Sequence, residues 1–390
     1  MSAGALPERG VRRLREPDVL RGFALFGILL VNAELMAGPY PLTGGGPGAP
    51  LADRVVAWLL TALVAGKFSF LFSFLFGYGF ALQRRSARQA GVPFAPRHLR
   101  RVLGLFGIGL VHAVLLYPGD ILTTYAVLAL VLYGLRGLSP RAALRLAAGL
   151  LAGLAALLLA YGLLTVALTD PATAPTPAPA GGPPGPAAAF ATALLYAPHK
   201  LAGFLAGLAA AKWSLAERRG RDRQWQRRVV VRWLPVGLAG GAFSACCTAG
   251  PLDGRWFLAG RAVSVLTGPA LAAAYACGLL LLLDAVGPAA GRVLAAAGRL
   301  SLTHYLTQSL VLAWVFTGPG LARYGRVGSA ALLLGCLALY AAQLAVSARL
   351  APHVRYGPAE WLLRALTRAR RPGRPAPGPD RPEAAPRPAP

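Results

Sequence analysis

The side chains in this chain that can do chemistry are few and are set into apolar runs. Asp18 and Arg21 stand three residues apart at the mouth of the run Leu20–Ala37, which also holds the amide Asn32, with Glu34 beyond it. His112 and Asp120 bracket a Pro118-Gly119 turn, and Lys67 and Lys200 each open an apolar stretch. Ser301, His304, Tyr305 and Gln308 fall at i, i+3, i+4 and i+7, which puts them on one helical stripe. A histidine with a neighbouring carboxylate suits proton transfer, His112 as general base and Asp120 as the group that orients it. The same pair also fits a plainer role, His112 as a hydrogen-bonding residue between helices and Asp120 as a cap after the Pro-Gly turn. Asp18, after Pro17, can cap a helix, and Arg21 one turn on can pair with it or with lipid phosphate.

Other chemistries lack their residues. The chain has no Walker A loop, H-E-x-x-H, G-x-S-x-G or dinucleotide fingerprint, which argues against an ATP-driven pump or a zinc protease. No His, Cys and carboxylate set has metal-ligand spacing. Cys246 and Cys247 are adjacent, and Cys277 and Cys336 lie in apolar runs, so all four read as small buried residues.

These side chains must be positioned by membrane helices. Of 390 residues, 56% are hydrophobic and 14% charged, with mean hydropathy +0.53. A soluble domain needs a more charged surface. The net charge of +26 invites a nucleic-acid reading. Its arginines, however, lie in loops that alternate with loops poor in basic residues, and no soluble domain is available to carry a binding face. The expected fold is an all-α polytopic membrane protein of about ten transmembrane helices, near 20–37, 67–83, 102–117, 120–135, 145–168, 200–214, 229–249, 258–284, 300–317 and 328–350.

Arginines group before the first span, between the second and third, after the fourth, between the sixth and seventh, between the eighth and ninth and after the tenth, as Arg84, Arg101, Arg136, Arg218, Arg292 and Arg299 exemplify. The positive-inside rule then places both termini in the cytoplasm of a bacterial inner membrane. The first run is too long for a signal-peptide core and lacks a following small-residue cleavage pattern, so it reads as an uncleaved span.

The organisation expected is a cytoplasmic segment 1–17, a first five-helix bundle 18–168, an extracytoplasmic Pro/Ala-rich linker 169–186, a second bundle 187–351, an interfacial cytoplasmic helix 352–367 and an Arg/Pro-rich disordered tail 368–390. Anionic lipids at the cytoplasmic face are the expected partners beyond the bilayer itself. Residues 53–83 are too long for one upright crossing, and Gly66-Lys67 marks a break. Pro198-His199-Lys200 marks a similar one. Ser69, Ser73 and Gly77 recur every four residues and present a small face to a neighbouring helix. By the helical rise, Asn32 lies about 21 Å from Asp18, and His112 roughly 16 Å beyond Arg101. Asn32, Lys67, His112, Asp120 and Gln308 can therefore meet in one cavity in the outer half of the bilayer.

The stretch from Asp18-Val19-Leu20-Arg21-Gly22 to Asn32 resembles the opening of YeiB-type bacterial inner-membrane proteins, whose C-terminal half is domain of unknown function 418. Lys67-Phe68 through Gly77-Tyr78-Gly79, Gly109-Leu110-Val111-His112 through Asp120, Gly298 through Ser309, and Arg355-Tyr356-Gly357-Pro358-Ala359-Glu360-Trp361 carry the resemblance along the chain. His304 departs from it, standing where a small amide is expected. The Asp-x-x-Arg-Gly element of the first span is in turn similar to that of membrane acyltransferases. The resemblance implies acyl transfer from a cytoplasmic donor, acyl-CoA serving as substrate and no cofactor being required, to an acceptor in or beyond the membrane. The alternative is transport of a small polar or lipid-linked solute, with His112 and Asp120 as a proton relay. A third role, as an accessory protein whose polar residues only join helices, also fits. Neither substrate nor oligomeric state is written in the sequence.

Overall fold

A helix needs a start, an apolar face and a stop, and at some helices the start is a side-chain cap. Ser139 and Asp222 accept hydrogen bonds from Ala142 N (3.2 Å) and Trp225 N (2.9 Å), capping the helices that follow. The computed structural model describes residues 16–43, 48–170, 185–220, 222–354 and 356–368. The calls on segment 1–15, most of the Pro/Ala linker and the tail from residue 369 lie outside these.

The described chain is helical, with no strand among the described residues. Its helices are α1 Glu16–Ala37, α2 Leu51–Leu63, α3 Lys67–Gln89, α4 Phe94–Leu115, α5 Ile121–Gly134, α6 Pro140–Leu168, α7 Pro186–Leu195 and α8 Ala197–Lys212. They continue as α9 Leu215–Arg219, α10 Arg223–Ala249, α11 Phe257–Val286, α12 Pro288–Arg299, α13 Ser301–Phe316, α14 Ser329–Leu350 and α15 Pro358–Arg368. Seven helical stretches are long and apolar enough to cross a membrane, or up to eight with the pair α7 and α8, which bend by 46° at Tyr196. The spans expected near 120–135, 200–214 and 300–317 form as helices of 14, 16 and 16 residues, short of the roughly 20 that an upright crossing takes. Large apolar side chains stay exposed on α4, α6 and α14, as Val114, Leu157 and Leu334 show, and this suits a multi-pass membrane protein.

The expected break in 53–83 falls at Val64–Gly66, where Gly66 takes φ +81° between α2 and α3. A residue with a Cβ is disfavoured there. The break near 198–200 comes slightly earlier, at Tyr196, and Pro198 sits in the first turn of α8. The segment 288–299, read as an arginine-bearing loop, is the amphipathic helix α12 packed along α1.

At the centre lies α1, with 72% of its apolar window buried. It packs against α3, α12, α13 and α14, so helices from both halves of the chain share one core. Tyr340 on α14 donates to the Gly22 carbonyl at 2.6 Å. The small face of α3 meets α8: a Cβ on Gly77 would strike the Phe204 carbonyl, and one on Gly207 the Phe74 carbonyl. Backbones in such contact gain dispersion without lost side-chain entropy.

Basic loops collect at one end of the bundle. Arg84 donates to the Arg136 carbonyl at 2.7 Å, Lys212 donates to the same oxygen at 2.9 Å, and Arg85 pairs with Glu217 at 3.0 Å. The Asp18–Arg21 pair, 3.0 Å apart, stands at this end, with Arg21 beside Gly79 of α3.

Candidate functional site

The last turn of α4 carries His112 inward. Its carbonyl accepts from Leu116 N and Tyr117 N at 2.9 and 3.1 Å, closing the helix before the Pro118-Gly119 turn. That turn returns the chain so that Asp120 caps α5, accepting from Thr123 N at 2.7 Å. The other oxygen of Asp120 lies 2.9 Å from His112 Nδ1, with both side chains 1% exposed. Tyr305 of α13 completes the group: its hydroxyl donates to Asp120 at 3.4 Å, and its ring centre lies 5.1 Å from that of His112. Neither His112 ring nitrogen makes a hydrogen bond among the described residues: Nδ1 has the close approach of the Asp120 carboxylate without hydrogen-bond geometry, and Nε2 is buried with no partner. A carboxylate against one ring nitrogen and an open second nitrogen is the arrangement a general base requires.

The pair sits between two hollows, the second of which carries more polar side chains. His112 lines an apolar groove of about 770 Å³ between α4, α13 and α15, whose wall includes Leu103, Ile108, Leu306 and Leu366, with Arg100 also lining it. Asp120 lines a larger cavity of about 1100 Å³, which also takes in Asn32, His199, Lys200, Arg261 and Tyr117. Both breaks in the apolar helices, Gly66 and Tyr196, form part of that second wall.

Of the five residues expected to converge, Asn32 and Asp120 share this cavity, and His112 touches Asp120 from the groove side. Lys67 and Gln308 line neither hollow. Lys67 is 1% exposed, and its ammonium turns back to the Thr61 carbonyl at 2.8 Å, closing the α2–α3 break. Gln308 joins α13 to α14 through Gln343 at 2.7 Å, and His304 does the same through Ser347 at 2.6 Å. Sequence reasoning missed Arg261, which is five residues into α11 and bonds the Tyr196 hydroxyl at 3.2 Å. An ionisable group inside an apolar span was the signal available for it. Among the described residues no cluster of His, Cys, Asp and Glu can hold a metal ion.

Comparison with known proteins bears on the whole chain. The profile of the family described as "Protein of unknown function (DUF418)" matches residues 210–370. An "Uncharacterized 39.9 kDa protein in amylase 3'region" from Bacillus acidopullulyticus is 30% identical over 374 residues, covering 91% of this chain and 94% of its own. The "Uncharacterized protein YxaH" of Bacillus subtilis (strain 168) is 29% identical over 389 residues, covering 90% and 93%.

Proposed function

Since this chain belongs to the DUF418 family of proteins of unknown function, we propose a function from its own site: acyl transfer within the bacterial cytoplasmic membrane, with both termini in the cytoplasm. The gathering of Arg84, Arg136 and Lys212 at one end supports that orientation under the positive-inside rule. The short helices α5, α8 and α13 then bring the crossings to about ten. The relation to membrane acyltransferases through Asp18 and Arg21 belongs to the same reading.

One observation carries the chemistry: the buried His112–Asp120 contact with Nε2 unpaired, set between an apolar groove and a larger cavity that Lys200 and Arg261 also line. From Arg100 to His112 the groove follows α4 for about 18 Å at the helical rise. An acyl thioester lies along it, with Arg100 available to the donor's phosphates at the cytoplasmic end. The acceptor hydroxyl enters from the cavity. Nε2 takes its proton while the oxygen attacks the thioester carbonyl; the C–O bond forms, the C–S bond breaks, and the proton passes to the leaving thiolate. Asp120 holds the imidazole tautomer that leaves Nε2 free to accept.

The test is release of free thiol from acyl-CoA by the protein reconstituted in vesicles, across a series of chain lengths and alcohol acceptors. His112→Ala is expected to lower turnover by about 10²–10⁴. Asp120→Asn keeps the α5 cap and loses a similar part of the rate. Turnover in His112→Ala equal to that of the unaltered protein removes the mechanism.

A second reading, transport of a small polar or lipid-linked solute, draws on the two helix breaks that flank the cavity, a pattern of substrate sites in transporters. Proton-coupled uptake into proteoliposomes without any acyl donor would favour it.

A further inference from the structure

The polar cavity carries more positive charge than anything in it balances. Lys200 and Arg261 line it against a single carboxylate, Asp120, which is already held by His112 and Tyr305. Lys67 lies just behind the wall, near enough to Arg261 to repel it. Like charges brought together in a medium of low dielectric are costly unless an anion joins them.

Two further side chains face the cavity without a partner. Asn32 is 9% exposed and His199 is 6% exposed, and neither makes a side-chain hydrogen bond among the described residues. His199 is held only by its ring against Phe70, at 5.4 Å between centres. Buried amide and imidazole groups normally find partners, so both are open to a ligand. One flank of the wall is apolar and runs out over Leu110 and Val114 of α4, 51% and 74% exposed, and Phe190 of α7, 70% exposed.

We propose that this cavity binds a phosphate group, held by Lys200 and Arg261 and hydrogen-bonded by His199 and Asn32, with the apolar flank receiving any chain attached to it. This rests on the acyl-transfer reading in one respect, that it names the acceptor as a phosphate-bearing molecule. A phospholipid headgroup and a soluble phosphate ester share that chemistry.

The test measures binding alone, with no acyl donor present. The full-length protein in neutral detergent is titrated with inorganic phosphate and, in separate nanodiscs, compared between phosphatidylglycerol and phosphatidylcholine, with thermal stabilisation as readout. Stabilisation by inorganic phosphate identifies a soluble anion site; stabilisation by phosphatidylglycerol alone identifies a headgroup site. In either case Lys200→Gln and Arg261→Gln are expected to weaken binding by at least about tenfold. Lys200→Arg restores it, which shows that a loss is not misfolding. Arg227→Gln, on the exposed start of α10, leaves it unchanged. His112→Ala retains anion binding while losing transfer, so failure of the catalytic reading and failure of this one are separable. Absence of stabilisation by either probe, or equal stabilisation of the Lys200→Gln and Arg261→Gln proteins, overturns the proposal.

Discussion

Helix α13 begins without a side-chain cap of its own, and its start is satisfied from elsewhere in the chain. The Glu360 carboxylate of α15 accepts from Leu302 N at 2.7 Å, Thr303 N at 3.1 Å and Thr303 Oγ1 at 2.5 Å. It also brings negative charge to the positive end of α13. Glu360→Ala removes all three bonds and leaves two backbone N–H groups without a protein partner. Bonds to charged acceptors are worth about 1.5–3 kcal/mol each when buried. Glu360 is half-buried, so about 1 kcal/mol each, roughly 3 kcal/mol together, is the appropriate scale. At about 1.4 kcal/mol per factor of ten, undocking of α15 should become roughly 100-fold more frequent. Hydrogen exchange read by mass spectrometry on the protein in nanodiscs checks this. The α15 amides should exchange about 100-fold faster while those of α1 stay protected. Glu360→Gln should fall between, because an amide oxygen in the place of Oε1 still accepts from both N–H groups while the charge and the acceptor for Thr303 Oγ1 are lost. Because Leu362 and Leu366 of α15 line the apolar groove, the same substitution should also loosen binding of long acyl chains. Unchanged exchange in α15, or an equal rise in α1, would refute the argument that Glu360 docks this helix.

Three further outcomes follow from contacts elsewhere. Gly207→Val drives side-chain atoms into the Phe74 carbonyl at the α3–α8 contact, and should cost several kcal/mol by the scale of overpacked cores, seen as loss of folded protein in detergent on size exclusion. Gln308→Leu strands the Gln343 Oε1 atom and should destabilise by about 1–3 kcal/mol, whereas Gln308→Leu with Gln343→Leu together should recover most of it, as thermal melts of the three proteins would show. Asp222 caps α10, and the Trp225 amide it accepts from, followed by its bond to Arg219, holds its carboxyl below the usual 3.8. The folded-state value being the lower one, the cap's contribution is complete above 3.8 and lost as the pH falls through the depressed value. Protection of the Trp225 amide should follow that course, and Asp222→Asn should abolish the pH dependence while keeping the cap.

Much of this molecule could be read along the chain. Leu20–Ala37 announces a buried helix, Gly66 a break, and Ser73 with Gly77 a face for close packing. Each follows from a local preference: the 3.6-residue period, a backbone angle open to glycine, or the length of an apolar run. Depth in a membrane belongs to the same class, because it is a count of residues at a fixed rise. Thus Asn32, Lys67, His112 and Asp120 could be assigned to a common level.

Which of them face one another is a different quantity, the rotation of each helix about its own axis, and only the packed bundle settles it. Close approach of α3 and α8 at Gly77 and Gly207 sets those two helices, and the α2–α3 break turns Lys67 back to the Thr61 carbonyl rather than into the cavity. Gln308 is claimed by Gln343 of α14, 35 residues further along the chain. Arg261 and His199 reach the cavity because α8 and α11 meet at the Tyr196 bend. Glu360, which by position opens its own helix, instead closes the start of another. A sequence sums local free energies and so determines the helices. The partners of its buried polar groups depend on contacts between residues tens to hundreds of positions apart, and those exist only once the helices have packed.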